Sequence, residues 1–323
     1  MTMTTETLKN EPKHLPAEAP AQAGRRRFPD WLKKPRHDAS DAHTGSSYAS
    51  VTSCIAGNNV HTVCTEARCP NRAECFSAGT ATFLILGNIC TRRCGYCGIR
   101  HGNPLPLDPE EPAGVAASVK TLSLRHIVIT SVTRDDLPDG GAGHFARTVR
   151  ECRSAAATIE VLIPDFNGNP SALDAVLDAG PDILNHNVET VPRLYPAIRP
   201  QADYCQSLGL LAYVHSRGFT TKSGLMVGLG ESEGEVCEVL EDLHNAGCRM
   251  VTIGQYLQPS PEQVPVQCFV PPEQFERYEK TGKAIGLHSV FAGPFVRSSY
   301  KAGEVLSRGE SRGLKTLRQG PYS

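Results

Sequence analysis

Thr82-Phe83-Leu84-Ile85-Leu86-Gly87-Asn88-Ile89-Cys90-Thr91-Arg92-Arg93-Cys94-Gly95-Tyr96-Cys97 passes from an apolar run into a polar loop carrying three cysteines. The run 82–87 shows no polar–apolar alternation, so it reads as a strand buried on both faces. Outward from it, runs of the same character stand at 126–132, 159–163, 182–187, 223–228 and 250–257. Segments with helical period lie between most of them, such as 144–156, 170–179 and 233–246. This alternation predicts an α/β fold with a parallel sheet covered by helices. Six such units are too few to close an eight-fold barrel, so the expected architecture is a partial (β/α)6 TIM-like barrel with N- and C-terminal extensions. In such folds chemistry sits at the C-terminal strand ends. There the sequence places Asn88, Thr133-Arg134-Asp135-Asp136, Pro164-Asp165, Asn187-Val188-Glu189 and Gln258.

The chain has 323 residues, 40% of them hydrophobic, with a formal net charge of −1. That hydrophobic share suits a packed core. The near-zero charge supplies no global field toward nucleic acid or an anionic membrane, and neither is expected as a partner. No segment approaches the ~18–20 apolar residues of a membrane span. The first 40 residues lack the apolar run of a secretory signal, and Glu6, Glu11 and Glu18 argue against a transit peptide. The expected location is therefore cytoplasmic. In a reducing compartment the twelve cysteines read as metal ligands or catalysts before disulfides. Residues 1–45 lack helical or strand period and read as a flexible arm. Its one distinctive part is Arg25-Arg26-Arg27-Phe28-Pro29-Asp30-Trp31, a solvated basic run with Trp31 tucked onto the domain, or a contact for an acidic partner.

Cys90, Cys94 and Cys97 form a C-x3-C-x2-C run directly after a predicted strand. Three thiolates on one loop can hold three irons of a 4Fe-4S cube and leave the fourth open for chemistry. A structural zinc site would want a fourth ligand, and none stands close by. Cys64, Cys69 and Cys75 form C-x4-C-x5-C. That spacing fits neither a zinc ribbon nor a ferredoxin, so a second cluster, a zinc site and scattered thiols all remain open on spacing alone. The other six cysteines share no spacing. Cys152, Cys237 and Cys248 fall in or beside helix-like segments and read as small core residues.

The two triads in this order resemble the lipoyl synthase family of the radical S-adenosylmethionine superfamily. So do Arg134-Asp135-Asp136-Leu137-Pro138-Asp139-Gly140-Gly141, Asn185-His186-Asn187-Val188-Glu189-Thr190, Lys222-Ser223-Gly224-Leu225-Met226 and Gly254-Gln255-Tyr256-Leu257-Gln258-Pro259. Arg297-Ser298-Ser299-Tyr300 matches the family's RSSY sequence. The resemblance covers residues 50–302. It implies two 4Fe-4S clusters and S-adenosylmethionine as cofactors. Cys90, Cys94 and Cys97 would hold the radical-generating cluster. Cys64, Cys69 and Cys75 would hold an auxiliary cluster, with Ser299 as fourth ligand and Ser298 as the alternative. A serine oxygen is a harder ligand than thiolate for a soft sulfide cluster, which suits an iron that is lost when the cluster yields sulfur.

The implied reaction replaces one hydrogen by sulfur at each of C6 and C8 of an octanoyl-lysine. Each unactivated C–H bond needs its own carbon radical, so two S-adenosylmethionines are consumed per product. The implied partners are an octanoylated lipoyl-carrier domain, a reduced electron donor such as ferredoxin or flavodoxin, and an iron–sulfur cluster carrier. The implied domains are the arm 1–45, an auxiliary-cluster extension 46–80, the barrel 81–285 and a C-terminal extension 286–323.

Asn187, Glu189 and Arg193 are the candidates for contact with S-adenosylmethionine, Arg193 through the methionine carboxylate. Arg134, Asp135 and Asp136 have a structural or substrate-positioning reading, because hydrogen abstraction by a radical needs no base. His186 reads as a satisfied core histidine. No catalytic residue beyond the cluster ligands is expected.

Overall fold

The computed structural model describes residues 28–33, 42–78 and 80–299, with the side chains of residues 42–46 left aside. Arg25–Arg27, Tyr300 and the tail beyond it lie outside the described residues. The described residues 28–33 belong to a unit of their own. Within it Asp30–Leu32 make one 3-10 turn, and Lys33 pairs with Asp30 at 2.5 Å.

The second unit begins with helix α1 (Ala42–Gly57), an edge strand β1 (His61–Thr62) and two short helices, α2 (Val63–Glu66) and α3 (Arg72–Ser77). Strand β2 (Thr82–Ile85) leads into a ribbon of β3 (Ile89–Cys90) and β4 (Arg100–His101). Then come α4 (Glu111–Thr121), β5 (His126–Ser131), α5 (Ala142–Cys152), β6 (Thr158–Leu162) and α6 (Pro170–Leu177). The chain continues through β7 (Ile183–Asn185), α7 (Tyr195–Ile198), α8 (Tyr204–Ser216), β8 (Thr220–Val227) and α9 (Glu233–Asn245). It closes with β9 (Met250–Gln255), α10 (Pro272–Ile285) and β10 (Ser289–Gly293).

The sheet runs β1-β2-β5-β6-β7-β8-β9-β10 and is parallel except at β1, which pairs antiparallel with β2. It has two free ends, so among the described residues the barrel is open. Six strands, β2 and β5 to β9, are each followed by a helix, which makes a partial (β/α)6 TIM-like barrel. The six anticipated strands are all present, with ends shifted by up to about three residues, as boundaries are set by hydrogen bonding rather than composition. β10 is a seventh parallel strand that the sequence did not announce. It is short and lies in the stretch expected as an extension, and only its pairing with β9 makes it a strand.

Local chemistry explains the helix starts. Ser232 and Glu235 form a reciprocal capping box at α9. The Asn169 side chain accepts from Ser171 N and Ala172 N ahead of Pro170 at the start of α6. Apolar side chains between sheet and helices form two large clusters. One gathers Phe83, Ile127, Val149 and Val176, and the other Val227, Leu240, Ile253 and Phe275. Cys152 and Cys248 are buried in these clusters, as small core residues should be, while Cys237 is half-buried. Among the described residues no helix is long and apolar enough to cross a membrane. Because the barrel strands are parallel, all their C-terminal ends face one way, and the loops there share one surface.

Candidate metal centres

The loop from Cys90 to Cys97 follows β2 and is strapped across these strand ends. Thr91 N and Thr91 Oγ1 both donate to Thr133 O at 3.0 Å, beyond β5. Gly95 N donates to Ile198 O at 2.8 Å, Val264 N to Gly95 O at 2.9 Å and Arg93 N to Gln201 Oε1 at 2.8 Å. Arg92, buried between the first two cysteines, is the strongest tie. Its guanidinium donates to both oxygens of Asp135 at 2.7 and 2.9 Å and to both oxygens of Asp165 at 2.7 Å. It also reaches Asn167 Oδ1 at 2.6 Å. One side chain thus joins the β2 loop to the loops after β5 and β6. Burial alone raises the Asp165 carboxyl, but hydrogen bonds and charge from Arg92 outweigh it and hold the group below its ordinary range. Arg134 binds Asp136 and Leu86 O. The Arg134–Asp136 stretch is therefore spent on holding loops, in line with its structural reading.

Arg92→Met should leave Asp165, whose side chain is 1% exposed, buried and unpaired. The expected cost is about 3–5 kcal/mol, the usual size for breaking a buried pair from one side. Denaturant unfolding of the cluster-free chain measures it. A loss under about 1 kcal/mol would reduce Arg92 to a surface contact.

The three thiols of this loop feel one another. Burial pushes Cys97 up to about 12, with Cys94 and Cys90 adding to the rise. Burial likewise pushes Cys94 up to about 11, against the pull of Arg199 and Arg92. Any metal held by these thiols has to displace those protons. Cys90 Sγ accepts from Thr133 N at 3.3 Å and Arg92 N at 3.4 Å, which fixes the orientation of the sulfur. Among the described residues no three His, Cys, Asp or Glu side chains converge on a single metal ion.

Cys64 lies in α2, Cys75 in α3, and Cys69 between them. A turn links the first two of them, Cys69 N donating to Cys64 O at 3.2 Å. All three thiols again share an electrostatic neighbourhood. Burial pushes Cys75 up to about 12, with Cys64 and Cys69 contributing. Burial also raises Cys64, with Thr82 N–H opposing and Cys69 adding. None of the six cysteines is in a disulfide.

The C-terminal segment runs between the two groups. Asn71 Nδ2, two residues after Cys69, donates to Phe295 O at 2.7 Å. Arg297 lies within electrostatic reach of Cys69. Ser298 Oγ accepts from Asn187 Nδ2 at 2.7 Å. Ser299, half-buried, is the last described residue.

Asn187 and Glu189 stand after β7, and Asn187 Nδ2 also donates to Glu189 Oε1 at 3.0 Å. Burial lifts the Glu189 carboxyl above its ordinary range, against Arg199 and hydrogen bonds from Asn187 and Tyr96. Glu189 holds φ +66°, a left-handed conformation that costs a non-glycine residue energy and gathers at functional sites. Arg193 is elsewhere: its half-exposed guanidinium pairs with Glu235 at 2.7 Å and donates to Gly230 O at 2.9 Å. Arg199 is the guanidinium near Glu189 and Cys94, donating to Asn187 O at 2.9 Å. Asn187 Oδ1 and Arg199 Nε are buried without a partner among the described residues, as expected where a polar ligand binds. No pattern in the sequence marks Arg199, which stands between a short helix and Pro200. His186 is a satisfied core residue, bonded to Ile163 O at 2.9 Å and Ser207 Oγ at 3.1 Å.

Residues 84–243 match the family described as the Radical SAM superfamily. The lipoyl synthase of Caldanaerobacter subterraneus subsp. tengcongensis is 52% identical over 288 residues, covering 88% of this chain and 99% of that one. A lipoyl synthase of Nitratidesulfovibrio vulgaris is 52% identical over 297 residues, covering 91% and 96%. The crystal structure of Streptococcus suis SuiB bound to S-adenosylmethionine aligns with a TM-score of 0.52 at 8% identity, over 69% of this chain and 54% of that one, a likeness of fold alone. Two cysteine triads on a partial barrel, with half-identity over nearly the whole chain, place it: the chain belongs to the lipoyl synthase family, radical S-adenosylmethionine enzymes that use 4Fe-4S clusters to insert sulfur into an octanoyl chain on a carrier protein.

Proposed function

We propose that Cys90, Cys94 and Cys97 hold the cluster that cleaves S-adenosylmethionine, and that Cys64, Cys69, Cys75 and Ser299 hold the cluster that gives up sulfur. Asn187 and Glu189 bind S-adenosylmethionine. Arg199 takes the carboxylate role, because Arg193 is occupied by Glu235 and Gly230. The observation that carries the reading is the course of residues 295–299. Phe295 is tied to the loop of one triad and Ser298 to the polar residues beside the other. When bound, the cofactors supply a 5′-deoxyadenosyl radical for the C6 and C8 hydrogens and sulfur for the carbons left behind. The chain holds the two cysteine loops still, turns polar groups toward the nucleoside, and seals the loop with Tyr96, which packs against Ile198, Leu229 and Tyr256. The carrier is an octanoylated lipoyl domain, the reductant a ferredoxin or flavodoxin, and an iron–sulfur carrier rebuilds the spent cluster, all in the cytoplasm.

Ser299→Ala tests the reading. 5′-Deoxyadenosine should still form, while lipoyl product falls more than about a hundredfold, since a ligand loss exceeds the 10–100-fold typical of a supporting contact. Ser299→Cys should bind iron more tightly and release sulfur poorly. Iron quantitation and mass spectrometry of an octanoylated carrier report both. Wild-type lipoyl yield from Ser299→Ala would remove the serine from the ligand set.

A cleft of 260 Å³ supports the route of the acyl-lysine. Arg68, beside Cys69, forms one wall and Gly98 to His101, after Cys97, another. Arg68 and Arg100 line it with one acid, Glu262, so the rim is net cationic and suits an acidic carrier. Arg68→Glu combined with Arg100→Glu should raise KM for the carrier about tenfold at low salt, with the difference shrinking as salt rises. Formation of 5′-deoxyadenosine should hold. An unchanged KM would move the docking face elsewhere.

A further inference from the structure

Inside the barrel lies an ion pair that radical chemistry does not require. Glu160 on β6 and Lys222 on β8 are each 1% exposed. Lys222 Nζ donates to Glu160 Oε1 at 2.8 Å and to Oε2 at 3.1 Å. Asn185, on the strand between them, donates to Glu160 Oε1 at 3.1 Å. A buried pair of this kind is weak grounds for stability, because apolar residues of similar volume often serve as well. An ammonium, however, has three donors, and two are spent on Glu160. The third goes to Ser298 O at 2.6 Å.

Ser298 is thus held twice, by its carbonyl on Lys222 and by its hydroxyl on Asn187. The floor beneath it is cut to fit. A Cβ at Gly254 on β9 would stand 2.2 Å from Val296 O. One at Gly224 on β8 would stand 3.1 Å from Ser298 Oγ and 2.5 Å from Thr252 Oγ1. Neither glycine has positive φ, so their use here is room for another backbone rather than a turn.

We infer that the Glu160–Lys222 pair is a positioning device: it pins the carbonyl of Ser298 over the Gly224–Gly254 floor, and so sets the register in which Ser299 is presented to the cluster of Cys64, Cys69 and Cys75. This rests on Ser299 being the ligand. Glu160 accepts two of the three N–H groups of Lys222 and leaves one for the segment. Ser298 is an anchor, its hydroxyl already engaged.

The test uses the full chain, with and without reconstituted clusters. Glu160→Gln/Lys222→Met removes the donor and the charge together, so no carboxylate is left buried and unpaired. Gly254→Ala dislodges the segment from below and leaves the pair alone. Hydrogen exchange of the amides of residues 295–299, read on the cluster-free chain, should quicken about tenfold in either variant, the size of one charge-assisted hydrogen bond. After reconstitution both should lose the fourth iron of the second cluster, seen as the paramagnetic signal of a three-iron cluster, while 5′-deoxyadenosine still forms. Ser298→Ala, which keeps the carbonyl contact, should retain full iron. Unchanged exchange and full iron in the double variant, beside a Ser299→Ala chain that does lose iron, would overturn the positioning role alone. Full iron in Ser299→Ala would overturn the ligand assignment beneath it.

Discussion

Cys94→Ala is expected to abolish reductive cleavage of S-adenosylmethionine. The loss should exceed the roughly 10–100-fold that follows when only a supporting contact of a metal ligand is removed, and 5′-deoxyadenosine should fall to the level of a blank. The loop itself should survive. Its ties run through Arg92 to Asp135 and Asp165 and through the Gly95 backbone to Ile198 and Val264, and none uses the Cys94 sulfur. What is lost is one of three thiols that share an electrostatic neighbourhood. Two thiolates cannot hold a cube and also keep one iron open for an amino-acid ligand. Anaerobic reconstitution followed by chromatographic assay for 5′-deoxyadenosine gives the answer, and a yield near wild type would take this triad out of radical generation.

Cys69→Ala should separate the two centres. Formation of 5′-deoxyadenosine should continue, uncoupled from product, while lipoyl product disappears. The physical basis is that the loop of Cys64 to Cys75 belongs to the helices ahead of the barrel, with its own small cluster of Val51, Cys64, Phe76 and Ala81. The straps of the Cys90–Cys97 loop run instead to Thr133, Asp135, Asp165, Ile198, Gln201 and Val264. Mass spectrometry of the carrier is the measurement, with iron content as a check that one cluster remains. Lipoyl product at normal yield would mean that the sulfur comes from elsewhere. Loss of both products together would mean that the two centres are not separable.

Local patterns carried much of this. A buried parallel strand is apolar throughout, and three cysteines on one loop are read from spacing, so the β2 strand and the Cys90–Cys97 group were legible before any contact was known, while the spacing of Cys64, Cys69 and Cys75 alone left their role open. The βα rhythm, the partial barrel and the core role of Cys152 and Cys248 follow from the same short-range rules. β10 was not legible, because five residues of mixed polarity become a strand only when β9 lies beside them.

The polar architecture was legible only as a set of residues at strand ends. Arg93, Arg92 and Arg193 look alike in sequence, yet Arg92 is buried across three loops while Arg193 is half-exposed on Glu235. Arg199 carried no signal at all, although its guanidinium is the one near Glu189 and Cys94. The sequence by itself determined which elements form, their order, and which cysteines travel together, since each depends on neighbours a few residues away. The tertiary structure alone decided which arginine is buried, how residues 295–298 thread over Gly224 and Gly254, and that Lys222 holds the Ser298 carbonyl. Those are pairings between groups 43 to 224 residues apart. A charged or polar side chain has many acceptable partners, and only the folded geometry, by burying some and leaving others in water, selects among them.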